Sequence, residues 1–492
     1  MVEDNKPTIK KKTLSGVGWV ASSQVLKQFI QFIITLVLSR ILEPGQFGLI
    51  GMITVFTGFA NLFADFGFAS SIIQQKYPSQ KNLSTIFWIN VFIGLSLTVL
   101  IASSSNLIAR FYHQPVLKSL TLIISINFLL GSLNIVQKAL LKKTMNFRVL
   151  AIRDNLSLLI GGMTAIILAL NGFGVFSLAV QSVVVTFSGI VLIWTQVEWR
   201  PRFLFNLRSV KRSFRFSANL FGVNVSSYWS RNADNLLIGR YFGPDSLALY
   251  ARGYGLMLLP LRNISSVLGQ VMFPALSQIQ HDKQKVKDIY LRSIGVIAFV
   301  SFPMMLGLFV VSDDFIIGLY GQKWSGVIPF LQIFSLLGLF NSIGTTVGWI
   351  FTSQGRTDIA FYFTIIGDSI LIIGFIIGIL LGDAIYVAII YAVISLSLVY
   401  PSFYFVGKLI DMKFSELINS VKGVFFISLM MMVFIYVLKI FLPATLSHLF
   451  SLIILTIAGV VVYLLLVHYI KLKPYLELKE IIKIHFLKGK KI

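Results

Sequence analysis

Residues 227–250 read SYWSRNADNLLIGRYFGPDSLALY and set three charged side chains, Arg231, Asp234 and Arg240, in a stretch otherwise built like a membrane helix. An ionised side chain in hydrocarbon is costly, so a membrane protein keeps one there only where it is paired or faces water. The stretch therefore predicts either a structural ion pair or part of a polar pathway.

The composition around this stretch excludes a soluble domain. The 492 residues are 56% hydrophobic and 12% charged, whereas about a quarter of the residues in soluble domains are charged. The apolar runs reach the ~20 residues that a helix needs to cross a bilayer, and they lack the ~10-residue alternation of membrane β-strands. We predict an all-α integral membrane protein with fourteen transmembrane helices, of which the fourth spans about 116–141.

The net charge of +23 indicates membrane topology rather than binding to nucleic acid. Roughly 30 of the 42 Lys and Arg residues lie on alternate loops, as the positive-inside rule requires of cytoplasmic loops. We expect both termini to be cytoplasmic, and we expect no signal peptide. The basic segments are the N-terminal arm, 76–81, 138–148, 200–215, 283–292, residue 356, 408–413 and the tail.

The chain lacks the motifs of several catalytic classes. It contains no cysteine, its five histidines make no metal-ligand spacing, and no GxxxxGK[ST] phosphate loop occurs. No predicted outer loop is long enough to hold an active site. We therefore predict no catalytic residue, no metal site and no cofactor. A proton or a sodium ion is the candidate coupling ion for transport.

Two matching motifs lie 200 residues apart, SRILEPGQFGLIGM at 39–52 and GRYFGPDSLALYAR at 239–252. They predict two six-helix lobes in parallel repeat, followed by two extra C-terminal helices. Duplicated bundles of this kind suit alternating access around a central site. The identical positions are Arg40 and Arg240, Pro44 and Pro244, and Leu49 and Leu249. The predicted segments are a cytoplasmic arm (1–14), the first lobe (15–198), a cytoplasmic amphipathic linker (199–215), the second lobe (216–410), the extra helices (411–470) and a basic cytoplasmic tail (471–492).

Several runs resemble helices of bacterial polysaccharide transporters. NADNLLIGRYFGPDSLALYARGYGLMLLPLRNI (232–264) and VMFPALSQIQ (271–280) resemble the seventh and eighth helices. Two further runs resemble the corresponding regions of these transporters, namely LSGVGWVASSQVLKQ near the start and KWSGVIPFLQIFSLLGLFNSIGTTVGWIFTSQGRTDIA (323–360). The resemblance extends to about residue 410 and is closest to exopolysaccharide and colanic-acid-type repeat-unit flippases, within the multidrug, oligosaccharidyl-lipid and polysaccharide exporter superfamily.

This resemblance implies a two-lobed, fourteen-helix fold in the bacterial cytoplasmic membrane. It also implies translocation of an undecaprenyl-diphosphate-linked oligosaccharide from the cytoplasmic to the periplasmic leaflet, for synthesis of an exopolysaccharide, capsule or O-antigen. The partners it implies are this polyprenyl-linked substrate, membrane lipids and, as further candidates, a polysaccharide polymerase and co-polymerase.

The charges of the opening stretch fit a diphosphate substrate. Arginine is the stronger phosphate ligand because its planar fork binds oxygens in pairs. Arg231 and Asp234 are three residues apart on one helical face, so they either line a cavity or form a structural pair. Arg240 is expected to be an interfacial anchor.

A polar stripe on the first helix is a second candidate surface. Gln24, Lys27, Gln28 and Gln31 occupy positions i, i+3, i+4 and i+7, and such a stripe must face protein or water. We expect a cavity lining, with snorkelling of Lys27 to the cytoplasmic surface as the alternative.

The remaining cavity candidates are Asn61 and Asp65 on the second helix, Arg153 and Asp154 on the fifth, and Arg262 on the eighth. Each has a structural alternative, namely interhelical hydrogen bonding for the second helix, snorkelling and capping for the fifth, and interfacial anchoring for the eighth.

Asp368 lies alone in an apolar run, IIGDSILIIG, and is the candidate for proton or ion coupling, with an ion partner from another helix as the alternative. A lipid-linked oligosaccharide flippase is the predicted function. The alternatives are a cation-coupled multidrug exporter, a flippase for a peptidoglycan precursor or teichoic-type polymer, and a scaffold without transport activity.

Overall fold

The computed structural model is helical throughout, and the part of the chain that it describes contains no strand, which confirms the all-α class. The described residues are 9–64, 72–74, 78–205, 207–443, 445–476 and 479, with backbone only at 9–17, 21, 207–227, 262–267 and 270.

The helices are numbered here in chain order. The first nine are α1 (Ile9–Ile41), α2 (Pro44–Ala64), α3 (Gln80–Ser103), α4 (Ser105–Phe111), α5 (Val116–Ser132), α6 (Ile135–Lys143), α7 (Phe147–Leu170), α8 (Val175–Gln196) and α9 (Leu207–Gln278). The others are α10 (Lys283–Val310), α11 (Ser312–Phe315), α12 (Val327–Gly344), α13 (Val347–Ser353), α14 (Thr357–Leu380), α15 (Ala384–Ile410), α16 (Phe414–Phe441) and α17 (His448–Ile470).

Helix α9 is 72 residues long and bends at Gly243. This residue has φ 83° and ψ −177°, a backbone conformation that glycine adopts without steric cost. Pro244 follows and starts the second arm, a position where its missing N–H costs no helical hydrogen bond. The helix therefore consists of two arms, 207–242 and 244–278, each long enough to cross a bilayer.

The number of spans agrees with the sequence only in part. Within the described residues, eleven helices are long and apolar enough to cross a membrane, or twelve if the bent pair α5 and α6 forms one span. The more polar α9 is not among them. The predicted total of fourteen is reached only if both arms of α9 also cross, so it stays a prediction.

Contacts divide the chain into two compact units, Met1–Ala248 and Leu249–Ile492. The first arm of α9 belongs to the first unit because it packs on α2. The Tyr228 hydroxyl donates a hydrogen bond to the Val55 carbonyl oxygen (2.7 Å), and the rings of Trp229 and Phe59 lie 5.0 Å apart. The compact units thus divide after residue 248, whereas the lobes predicted from the sequence, 15–198 and 216–410, remain a prediction.

The two repeated motifs meet inside the first unit. A Cβ atom at Gly48 would lie 1.8 Å from the carbonyl oxygen of Pro244, so only glycine allows this approach of α2 to the bend of α9. A Cβ atom at Gly45 would likewise lie 2.6 Å from Oδ1 of Asp245. Glycines of the first motif therefore form the surface on which the second motif packs.

Each unit has an apolar core of its own. In the first unit, α7 packs against α1 and α8, and Ile34, Leu158 and Leu178 are buried between them. In the second unit, α10 packs against α12 and α16. Residues of the last helix join this core, since Tyr463 donates a hydrogen bond to the Phe299 carbonyl oxygen at 2.8 Å.

Two segments differ from their predicted form. The fourth predicted span, 116–141, is broken after Ser132, and its two parts meet at 43°. The linker predicted at 199–215 is not helical over 199–205. There the backbone bonds to α3 instead, with Trp88 Nε1 donating to Arg202 O (3.0 Å) and Gln80 Nε2 donating to Arg200 O (2.8 Å).

Candidate binding site

Arg153 is the most buried of the predicted site cations whose side chains the structure describes, with 8% of its surface exposed. Its Nη1 lies 2.6 Å from Asp154 Oδ1, and its Nε donates to the Gly189 carbonyl oxygen at 3.0 Å. A Cβ at residue 189 would lie 2.6 Å from the guanidinium, so this glycine on α8 makes room for the arginine. The guanidinium is thus held in a fixed position between α7 and α8.

Further cations surround this pair. The Lys138 ammonium on α6 interacts electrostatically with Arg153, Lys142 and Lys27, and with the single acid Asp154. These five side chains are called the cation cluster below. This set holds four basic side chains and one carboxylate, so its formal net charge is positive and would favour an anion nearby.

Helix α1 is joined to the cation cluster through Asn155. Its Nδ2 donates to Ser23 Oγ at 2.9 Å, one helical turn before Lys27 on the same face of α1. The Asn155 Oδ1 atom is buried and has no hydrogen-bond partner among the described residues. A polar ligand beside the cluster would find a free acceptor there.

The polar stripe of α1 lies largely on the surface. Gln24, Lys27 and Gln31 are exposed, while Gln28 is partly buried. Gln31 donates a hydrogen bond to Thr35 Oγ1 at 3.3 Å. Because polar side chains of a membrane helix are expected to face water or protein, this stripe stays a candidate cavity lining.

Arg231 and Asp234 differ in their surroundings. Arg231 is exposed, whereas Asp234 is 6% exposed and accepts a hydrogen bond from the Asn235 backbone N–H at 2.7 Å. The buried acid therefore has backbone support of its own, which leaves the arginine available at the surface of the helix.

The other candidates belong to other helices. Asn61 is exposed on α2, and Asp368 is partly buried on α14 in the second unit. Asp65 and the side chain of Arg262 lie outside the described residues. No group of three or more His, Cys, Asp or Glu residues in the described part of the chain could hold a metal ion.

Lys138 and Lys142 were not among the site residues predicted from the sequence. The segment 138–148 was predicted to be a cytoplasmic loop, and its positive charge was explained by membrane topology alone. Yet Lys138 falls inside the predicted span 116–141. There, as for Arg231, a charged side chain is expected only where it is paired or faces water. Its neighbour Gln137 is fully buried, and neither amide atom has a partner among the described residues. A charge inside a predicted span was the signal.

Several charged groups of the second unit form ion pairs. Lys439 forms ion pairs with Asp313 and with Asp314, the latter at 3.1 Å, and His448 Nδ1 lies 2.8 Å from Asp314. These contacts connect the segment after α10 to α16 and α17. Arg252 lies over the rings of Tyr320 and Trp324, 5.3 and 5.1 Å from their centroids.

The family of the chain follows from its sequence. A family described as "Polysaccharide biosynthesis protein" matches residues 37–329, more than half of the chain. This range includes both repeated motifs and most of the cation cluster, and it confirms the resemblance seen in the sequence.

Individual relatives agree with this match. The chain is 28% identical to the "Lipopolysaccharide biosynthesis protein WzxC" of Escherichia coli (strain K12), over 89% of this chain and 90% of that protein. It is also 28% identical to the "Teichuronic acid biosynthesis protein TuaB" of Bacillus subtilis (strain 168), over 72% and 74%. Among solved structures, "Lipid II flippase MurJ, inward closed conformation" has a TM-score of 0.72 at 16% identity, over 92% of this chain and 98% of that one. The last match concerns the fold alone.

Proposed function

Since the chain belongs to the polysaccharide biosynthesis protein family, we propose that it is a flippase for an oligosaccharide linked to a polyprenyl diphosphate. The substrate moves from the cytoplasmic to the outer leaflet of the bacterial cytoplasmic membrane by alternating access. The names of the relatives support a role in building a surface polysaccharide.

The cation cluster is the observation that carries this proposal. A diphosphate needs several positive charges to leave water, and Lys27, Lys138, Lys142 and Arg153 supply four of them against the carboxylate of Asp154. Arg153 is already oriented by Gly189, so binding costs little reorganisation. The same net charge disfavours a cationic drug, and with it the multidrug-exporter alternative.

The other predicted site residues would bind the sugars, a phosphate or a coupling ion. Gln24, Gln28 and Gln31 on α1 offer hydrogen bonds to hydroxyl groups of the glycan. Arg231 supplies a second phosphate contact from α9. Asp368 is the candidate for coupling to a proton or a sodium ion. The protein breaks no bond in this mechanism, both termini lie in the cytoplasm, and a polymerase acts on the delivered repeat unit.

The test compares the host with and without the gene. Polyprenyl-linked oligosaccharides are extracted, and their leaflet is assigned by their accessibility to an impermeant glycosidase in sealed right-side-out vesicles. We expect one complete repeat unit to accumulate, protected from the glycosidase. Its sugars would also identify the polymer, including the teichuronic type in the name of one relative.

Two results would contradict the proposal. One is an unchanged pool of lipid-linked sugars in the deletion strain. The other is full export by an Arg153→Ala and Lys138→Gln double variant at normal abundance, because that protein lacks half of the cations in the cluster.

Arg231→Ala is expected to abolish export while Arg231→Lys restores part of it, since lysine lacks the bidentate fork.

A further inference from the structure

An apolar groove of about 640 Å³ lies in the first unit, away from the cation cluster. It is formed by α2, α3, α4 and the first arm of α9, and its twelve lining residues comprise four phenylalanines, seven aliphatic residues and Ser104. Leu100 and Leu107 are 58% and 66% exposed, so the groove is open along one side. This shape accepts a hydrocarbon chain from the surrounding membrane.

Hydrocarbon alone does not make the groove selective. Lipid tails are as apolar as leucine, so a chain gains only packing contacts when it leaves the bilayer for the groove. Specific binding therefore requires a polar contact at one end. The phenylalanine rings offer a rigid, shaped surface, but the headgroup must supply the remaining affinity.

Arg240 provides that contact. Its guanidinium carbon lies 5.5 Å from the ring centroid of Phe111, a lining residue of the groove, and 5.9 Å from that of Tyr241. Ring contacts of this kind leave the charge of the guanidinium uncompensated by a carboxylate. The residue is partly exposed and stands two residues before the end of the first arm, so its N–H groups can reach a phosphate at the membrane surface.

We propose that this groove binds the polyprenyl chain of the lipid carrier, with the carrier phosphate on Arg240. The groove combines an apolar lining with the Arg240 guanidinium beside Phe111, so it suits a lipid that has a long hydrocarbon chain and a phosphate headgroup. The identity of this chain rests on the proposed function, because the substrate of that function carries a polyprenyl tail.

The position of the groove gives it a role in transport. By the predicted topology, Phe111 and Arg240 lie near the outer ends of their helices, while the cation cluster lies towards the cytoplasmic ends. The tail and phosphate would thus be bound on the outer side after the glycan has crossed. This second contact holds the carrier until the repeat unit leaves the protein.

Photocrosslinking of the full-length protein in lipid nanodiscs tests the proposal. Benzoylphenylalanine replaces Leu100, which lines the groove, or Leu95, which is 47% exposed on the same helix and does not line it. The probe is radiolabelled undecaprenyl phosphate. We expect about tenfold more label at position 100 than at 95, displaced by unlabelled undecaprenyl phosphate but not by an equal excess of phosphatidylglycerol.

A second variant tests the headgroup contact. Arg240→Gln should lower the label at position 100 about tenfold, and Arg240→Lys should lower it less, because a charged hydrogen bond to phosphate is lost in the first and only weakened in the second. Equal label at both positions, displacement by phosphatidylglycerol, or full label in Arg240→Gln would each overturn the proposal. If one of these occurs while the deletion strain still accumulates the cytoplasmic repeat unit, only the groove is wrongly assigned.

Discussion

In the second unit, Lys439 and His448 bond to Asp313 and Asp314, and Lys287 bonds to Glu416 at 3.1 Å, so each of these three basic side chains meets an acid on a neighbouring segment. In the first unit, Lys138 lies within electrostatic range of three further cations, Arg153, Lys142 and Lys27, and of the acid Asp154. Paired charges fix the helices that carry them, whereas an excess of one sign leaves electrostatic energy that a ligand of the other sign can release.

This difference separates structural charges from binding charges without reference to any relative. Replacing a cation should lower stability in the second unit and lower substrate affinity in the first. The substitutions below are ordered by the size of the effect that we expect, with Asp154→Asn as a matched control and a surface capping acid as the last case.

Arg153→Ala should have the largest effect because Arg153 serves both purposes. Loss of the bonds to Asp154 and Gly189 should lower the free energy of unfolding by about 2 kcal/mol. Transport of the lipid-linked glycan should fall at least about thirtyfold, as expected when a charge-assisted phosphate contact is lost. Thermal unfolding in detergent and flipping in proteoliposomes measure the two effects.

Asp154→Asn is the matched control for Arg153→Ala. It weakens the same ion pair but leaves every cation in place, so it should lower stability without lowering transport. If both variants lose transport equally, the ion pair is structural and the cation cluster binds no substrate.

Lys138→Gln should lower affinity for the substrate about tenfold, because one of the four cations is removed. Its unfolding temperature should stay close to that of the unmodified protein, since Lys138 makes no ion pair with Asp154 within 4.0 Å and contributes through longer-range charge. Binding of a fluorescent polyprenyl diphosphate measures the affinity. Unchanged affinity in this variant would remove Lys138 from the site.

Hydropathy alone predicted most of the fold. The apolar runs correspond to helices, and the FGP sequence in the second motif falls at the bend of α9. The break between α5 and α6 was not predicted from hydropathy, because the polar Ser132 and Asn134 stand among apolar neighbours and do not end the apolar run. Nor was the division after residue 248, which depends on tertiary contacts such as that between Tyr228 and Val55.

The site was only partly predictable. Adjacent charges marked Arg153 and Asp154 in the sequence, but the Gly189 contact joins residues 36 positions apart and becomes visible only in the folded chain. Lys138 was hidden for a different reason. The positive-inside rule explains every basic residue of a cytoplasmic loop by topology. A partly buried lysine at the end of a span, such as Lys138, is therefore explained in the same way and is not recognised as a candidate.

Lys439→Gln tests the paired charges of the second unit. The change leaves Asp313 and Asp314 next to each other without their shared cation, and it removes the bond to the Val310 carbonyl oxygen at 3.0 Å. The free energy of unfolding should fall by about 1 kcal/mol, since the group is partly exposed and solvent screens the charges. Affinity for the substrate should not change. A loss of affinity as large as that of Lys138→Gln would remove the distinction between the units.

Asp282 should have the smallest effect, because it caps one helix end at the surface. Its carboxylate accepts a hydrogen bond from the Lys285 backbone N–H at 3.1 Å and forms an ion pair with the Lys285 side chain at 3.0 Å, and these bonds hold the pKa of Asp282 below its usual value. A carboxylate whose pKa is lowered by folding stabilises the protein at every pH above its unfolded-state pKa, which is near 3.8. This stability is lost as the pH falls through the folded-state pKa. Asp282→Ala should therefore unfold at a slightly lower temperature than the unmodified protein at pH 7, with the two curves converging once the pH has fallen below the folded-state pKa of Asp282. A difference that stays constant down to that pH would mean that helix propensity, rather than the capping carboxylate, accounts for the effect.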